Sequence, residues 1–377
     1  NLFFGRDKDI EQLYKFINNE KTVVLHSKSG FGKSSLINAG IIPKLKKQKN
    51  YIHFTFRFGN YSRENNQPPL QAVSNHLEEE QTNIELAEEF SIDKNKMKEK
   101  TFLDEIVEQD TSLWYYFKKI QVLLGGKKDF ILIFDQFEEL FTYPDESLNH
   151  FKKELADLQN IEIPQHFVDA LEQHPEVFEN EEVASLLYKP LNIKILFAIR
   201  SDKMSHLNKM TDFFPGIMLH CYELAALTRE QANDAIVKPA HDDSEDFATP
   251  TFEYTNEAIR KMLQFLTKGN EKNVESFQLQ ILCQHVERNI INNDKRQVYA
   301  GDLGNIEDIY ENYYDNLLMQ LTTDETEYRD ARILIEEQLI LEDEERRLSL
   351  DSGQIDNTKV SQKLLDKLVD SHLLRRE

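Results

Sequence analysis

Between Val23 and Ile37 the chain reads VVLHSKSGFGKSSLI, and this stretch limits the possible folds more tightly than any other. The β-branched apolar run Thr22–His26 has the composition of a strand buried on both faces, as in a parallel sheet. Beyond it, Leu36, Ile37, Ala39 and Ile42 are spaced as one face of a helix, which Pro43 is expected to end or kink. Gly30, Gly32, Lys33 and Ser34 lie between the two. A strand, a glycine-bearing turn closing on Gly-Lys-Ser, and a helix together make a ring of backbone N–H groups that can hold phosphate oxygens before a helix N-terminus. Lys33 is placed for the β- and γ-phosphates and Ser34 for Mg2+. The candidate nucleotide set is Ser29, Gly30, Phe31, Gly32, Lys33, Ser34 and Ser35. One position departs from the pattern. Ser27 stands where the leading glycine is expected, although a small side chain there still lets the chain leave the strand.

Other apolar runs extend the sheet. YIHFTFRF (Tyr51–Phe58) nearly alternates, DFILIFD (Asp129–Asp135) ends in a carboxylate, IKILFAIR (Ile193–Arg200) ends in a cation, and IMLHCYEL (Ile217–Leu224) reads as a fifth strand. Helices are expected over Arg6–Ile17 and over Thr111–Leu124, the latter closed by Gly125 and Gly126. The acidic stretch from about Ser62 to Asp110 reads as helices and loops with little core. Strands alternating with helices predict a parallel sheet covered on both faces, with functional groups at the C-terminal strand ends. Lys33, Asp135 and Arg200 would meet at that edge. Asp135 is the expected Mg2+ partner, since a hard cation takes oxygen ligands. Glu138 and Glu139, three and four residues on, are both candidates to orient or deprotonate an attacking water, and the sequence does not choose between them. Arg200 is either a γ-phosphate contact or an ion-pair partner of Asp202.

Past Leu224 the strand signal stops, and helices are expected over Thr228–Lys238, Asn256–Thr267, Ser276–Ile291 and Asp302–Leu321. Two helices flanking Leu348–Ile355, with the last running into a short apolar strand, suit a winged helix. The expected organisation is an α/β P-loop domain over 1–224, an all-α helical domain over 225–300 and a winged-helix domain over 301–377. The chain carries 45 Lys plus Arg against 67 Asp plus Glu, a net charge of −22. That balance argues against a nucleic-acid-binding surface. Cys221 and Cys283 are the only cysteines, the usage of a reducing, cytoplasmic compartment. No run approaches the ~20 apolar residues of a membrane span, so no membrane contact is expected of this region. The chain starts at Asn1 without methionine and inside an apparent motif, so it is expected to be a piece of a longer protein.

FFGRDKDIEQL, SKSGFGKSSLINAGIIPKL, ILIFDQFEELF, LFAIRSDKM, YELAALTREQANDAIVKPA, FQLQILCQHV and LVDSHLLRRE together resemble the STAND NTPases, signal-transduction ATPases with numerous domains, and within them the bacterial novel STAND subgroup. The resemblance covers the chain except for about Ser62–Asp110 and Pro144–Asn192. It implies an ATPase core, a helical domain and a winged helix around bound ATP or ADP, with ADP holding a closed monomer. A trigger, not identified by the sequence and with a foreign protein as one candidate, then permits exchange and self-assembly, often in bacterial defence. By resemblance Gly5 and Arg6 flank the adenine, Lys33, Ser34 and Asp135 hold phosphates and Mg2+, and Arg200 senses the γ-phosphate. The late winged-helix histidine of such proteins has no counterpart before Glu377, since His372 comes too early. Two other classes compete with a slow regulatory ATPase. A P-loop enzyme on a small substrate would need a second polar cluster, which the helical half lacks. A winged-helix DNA regulator would need more cations than SQKLLDKLVD carries.

Overall fold

The computed structural model describes residues 3–48, 50–62, 66–86, 112–160, 162–174, 181–243, 249–268, 273–293, 295–341, 346–347, 359–371 and 373–374. The chain divides into two units, Asn1–Ala225 and Ala226–Glu377.

The first unit is built on five parallel strands: β1 (Thr22–Ser27), β2 (Tyr51–Phe56), β3 (Asp129–Phe134), β4 (Ile193–Arg200) and β5 (Cys221–Glu223), in the order β2-β3-β4-β1-β5. Side chains alternate across the sheet and so feed two separate cores. Phe130, Leu132 and Phe134 of β3 join Ile193, Ile195, Phe197 and Ile199 of β4 in one. Ile131, Ile133, Leu196 and Ala198 point into the other, with Val23 and Leu25 of β1. Helix Asp7–Asn19 lays Ile10, Leu13, Tyr14 and Ile17 into that second core. The first core is closed by helices Pro69–Leu86, Leu113–Leu123, Asp145–Asp157 and Gln165–Glu172. A row of aromatic ladder partners, Phe56, Phe134 and Phe197, runs across β2, β3 and β4. Its rings stack with centroids 5.2 and 5.6 Å apart. This row lies just beneath the C-terminal edge of β2 and β3.

Four expectations are corrected. β5 is three residues long, not eight, because Ile217–His220 turns before Val24 pairs the chain. The acidic stretch does supply core: Val73 and Leu77 of helix Pro69–Leu86 are buried, while residues 87–111 lie outside the described set. Of the two outcomes expected at Pro43, ending or kinking the helix, the first does not occur. Leu36–Ile41 is π-helical and Ile42–Lys47 continues α-helically, so a wider turn accommodates the proline that an α-helical ladder would not. Finally, Leu373 and Leu374 bend back rather than forming a strand, with Leu374 N donating to Leu368 O (3.0 Å).

Among the described residues the second unit holds two cores, one spanning Leu227 to Ile306 and one Leu318 to Leu368. Its helices include Arg229–Ala240, Asn256–Leu266, Ser276–Asn293, Ile306–Leu321, Glu325–Ile333 and Gln362–Asp370. It is not wholly helical. Glu253–Tyr254 pairs parallel with Gln297–Val298, and Ile340–Leu341 antiparallel with Arg346–Arg347. Two-residue strands have no alternation to read in a sequence. Leu348–Ile355 and His372 lie outside the described residues. Among the described residues no helix is long and apolar enough to cross a membrane.

Candidate functional site

β1 delivers its last residue, Ser27, buried at the start of the loop. The Ser27 hydroxyl donates to Lys28 O (2.9 Å), and Lys33 Nζ donates to both Ser27 O and Ser27 Oγ, each at 3.2 Å. The serine that replaces the expected glycine is thus a resting partner for the loop lysine. Gly30 and Gly32 have φ of +82° and +90°. A Cβ on Gly30 would meet nothing within 4 Å, so backbone conformation rather than space requires glycine here. Gly32 forms the N-cap of the helical run that begins at Lys33, with Leu36 N returning to Gly32 O at 2.8 Å. Ser29, Phe31 and Ser34 are half-buried around this turn, while Ser35 is exposed. Successive amides turning left-handed before a helix N-terminus fit a polyphosphate.

The strand order decides what faces the loop. β4 lies between β1 and β3, and Arg200 is the ladder partner of Ser27. Asp135 follows β3 and is buried, with its N–H on Phe56 O (3.0 Å). Gln136 then takes φ +55°, unusual for a residue with a side chain. Its amide donates to Asp135 Oδ1 (3.1 Å), and Arg57 bonds its side-chain oxygen. This left-handed corner turns the chain into a 3-10 helix, Phe137–Thr142, that carries both glutamates. They diverge. Glu138 Oε2 accepts from Arg200 N (3.2 Å), on the β4 side. Glu139 Oε2 accepts from Gly59 N (3.0 Å), in the loop after β2. Burial pushes the Glu139 carboxyl up to about 7, against the opposing charge of Arg57 and the Gly59 hydrogen bond.

The Arg200 guanidinium grips Asp202 with two bonds, Nε to Oδ1 at 3.1 Å and Nη2 to Oδ2 at 2.8 Å. Partial burial works to raise the Asp202 carboxyl, but the bonds and charge of Arg200 outweigh it and hold the group below its usual value. The Arg200 and Asp202 side chains are 31% and 54% exposed. A pair this exposed is screened by solvent, and a more highly charged phosphate can compete for the same guanidinium. The pair therefore does not bar Arg200 from a nucleotide.

Gly5 (φ +78°) and Arg6 precede helix Asp7–Asn19, and both are buried. Arg6 Nη1 donates to Ala225 O (2.8 Å) and Asp9 Oδ2 (3.2 Å), and Nη2 to Phe31 O (3.2 Å). Sequence reasoning missed Arg57, Gly59 and the His26–Ser201 hydrogen bond (3.1 Å). For Arg57 the signal was available, since a cation closing an apolar strand is the pattern that drew attention to Arg200. Among the described residues no cluster of three or more His, Cys, Asp or Glu could hold a metal. A magnesium ion shared with substrate phosphates needs only one or two protein carboxylates, and Asp135 is the buried carboxylate at this strand edge.

A phosphate loop on β1, an acid after β3 and an intervening strand ending in a cation define a P-loop nucleoside-triphosphatase. The chain belongs to the novel STAND NTPase 1 family, whose model matches residues 1–377. No curated protein matches it. Among solved structures it is similar to the Walker-type ATPase of Pyrococcus abyssi, at 15% identity and TM-score 0.43 over 97% of this chain and 89% of that one. It is also similar to the ORC2 protein of Aeropyrum pernix in its ADPNP–ADP complexes, at 10% identity and TM-score 0.47 over 99% and 82%. A third likeness is Cdc6p of Pyrobaculum aerophilum, at 10% identity and TM-score 0.41 over 98% and 86%. At these TM-scores the likenesses carry nothing about chemistry.

Proposed function

We propose that this chain is an ATP/ADP-operated switch whose slow, Mg2+-dependent hydrolysis resets it. The observation that carries the reading is Arg200. It ends the strand between the phosphate loop and Asp135, and it is held by a weak, exposed partner, Asp202. A γ-phosphate competes for that guanidinium, while ADP does not, so ATP and ADP favour different positions of Arg200. A ligand shifts a conformational equilibrium only through such differential contacts.

In this reading Ser29 to Ser35 cradle the phosphates, Lys33 transfers from Ser27 to the β- and γ-oxygens, and Ser34 with Asp135 holds Mg2+. The metal supplies charge neutralisation on the phosphates. Glu138, on the β4 side and hence nearer the loop, orients or deprotonates the water. Glu139 clasps the loop after β2. The second unit supplies the helical and winged-helix domains that respond to the nucleotide. Exchange of ADP for ATP, set off by a trigger such as a foreign protein, drives self-assembly in cytoplasmic defence signalling. The two free cysteines suit a reducing compartment.

The test is to measure ATP and ADP affinities of wild type and Arg200→Ala, with light scattering in the presence of trigger. The switch reading expects Arg200→Ala to weaken ATP binding about tenfold or more and to spare ADP. Equal losses for both nucleotides, with assembly intact, would leave Arg200 as an ion-pair partner only. Within the same reading, Glu138→Gln should bind ATP and cleave it slowly, whereas Glu139→Gln should turn over near the wild-type rate.

A further inference from the structure

The peptide joining Phe31 to Gly32 leads into the N-cap of the helix at Lys33, and in a loop of this form its N–H is one that phosphate would take. A trans peptide is planar, so its C=O and N–H point in opposite directions. Arg6 Nη2 donates to the Phe31 carbonyl at 3.2 Å. Whatever fixes that oxygen also fixes where the Gly32 N–H is aimed. Glycine at φ +90° has no side chain to resist rotation of this plane, so the orientation must come from a neighbour. Arg6 is suited to give it, being only 2% exposed. It is also anchored independently of the loop, through Nη1, to the Ala225 carbonyl (2.8 Å) and the Asp9 carboxylate (3.2 Å). A planar fork whose other arm is tied down holds its remaining donors in a set direction.

We infer that Arg6 is a positioning residue for phosphate recognition, acting through the Phe31–Gly32 peptide. It clamps the Phe31 carbonyl so that the Gly32 amide faces the polyphosphate of the nucleotide. This rests on the reading of residues 27–35 as a phosphate loop. It differs from a role beside the adenine ring, because a clamp on the loop serves any ligand carrying the diphosphate, with or without a base.

That difference sets the experiment. Binding of ADP and of inorganic pyrophosphate is measured by calorimetry for wild type, Arg6→Lys, Arg6→Ala, Asp9→Asn and Lys33→Ala, with thermal melts to check folding. Wild type should bind both ligands and Lys33→Ala neither. If wild type ignores pyrophosphate, or Lys33→Ala binds both as wild type does, the phosphate-loop reading fails rather than the clamp. Arg6→Lys keeps the charge but loses the fork, and should weaken ADP and pyrophosphate by the same factor, about tenfold. Asp9→Asn, which leaves the bonds to Phe31 and Ala225, should stay within about threefold of wild type for both ligands. Loss of ADP affinity with pyrophosphate unchanged would place Arg6 at the base and overturn the inference. So would unchanged affinity for both ligands, or failure of both Arg6 variants to fold, which would make the arginine purely structural.

Discussion

Lys33 rests on Ser27 in the described conformation, so a nucleotide must offer it more than a carbonyl and a hydroxyl. Charged phosphate oxygens do. Lys33→Ala should lose most nucleotide affinity, roughly 1.5–3 kcal/mol for the charge-assisted bond alone, with the fold intact by circular dichroism. Glu139 gives a prediction on pH. Its folded-state value near 7 lies above the ordinary 4.5, so its contribution to stability is complete below the unfolded value and is lost as pH climbs through the folded one. Glu139→Gln keeps an acceptor for Gly59 without that loss. Denaturant midpoints should therefore move in its favour between about pH 4.5 and about pH 7, and hold a constant gap above. A gap that shrinks with rising pH would contradict the buried acid. At this scale the sequence showed residue types but not directions. It placed Glu138 and Glu139 side by side, and only the left-handed turn at Gln136 sends them to opposite neighbours of β3.

Elements with a long apolar signal were legible, and those whose definition rests on distant partners were not. β1, β3 and β4 follow from continuous apolar runs, and β4 spans the expected Ile193–Arg200. Helix ends are a different matter. Lys118, fully buried, donates to Leu186 O (3.1 Å), Lys189 O (2.7 Å) and Gln121 Oε1 (2.8 Å). Lys194 reaches Asn18 O and Glu20 O, and Lys367 reaches Leu321 O. Each lysine satisfies carbonyls at or just beyond a helix C-terminus, where orphan acceptors and the dipole favour a cation. No local pattern reveals a cap that is 46 or 176 residues away. Burial drives the Lys118 ammonium down to about 7, with the charge of Lys189 adding to the fall. Lys118→Met should cost about 3 kcal/mol by urea unfolding, since it strands buried carbonyls. The N-terminal signals were easier. Thr228 and Gln231 form the capping box of helix Arg229–Ala240, and Thr228→Ala should cost about 1 kcal/mol.

For the whole molecule, the strand order was the part the sequence could not supply, since apolar runs do not state their neighbours. That order is nevertheless what sets Arg200 between the phosphate loop and Asp135. If the switch reading holds, hydrogen exchange in ATP and in ADP should differ in the second unit as well as in residues 27–35. Differences confined to the first unit would describe an NTPase that does not switch. A consequence of another kind follows from the bond between Arg6 and Ala225. Arg6 and Ala225, near the two ends of the first unit, lie within one side chain of each other, so the chain traces a nearly closed circuit between them. Such a circuit does not depend on where it is cut. A few flexible residues bridging 225 to 5, with new ends opened at the Gly125–Gly126 turn, should give a permuted order that keeps every strand pairing of the sheet, and loss of the native circular dichroism or of ADP binding would contradict this.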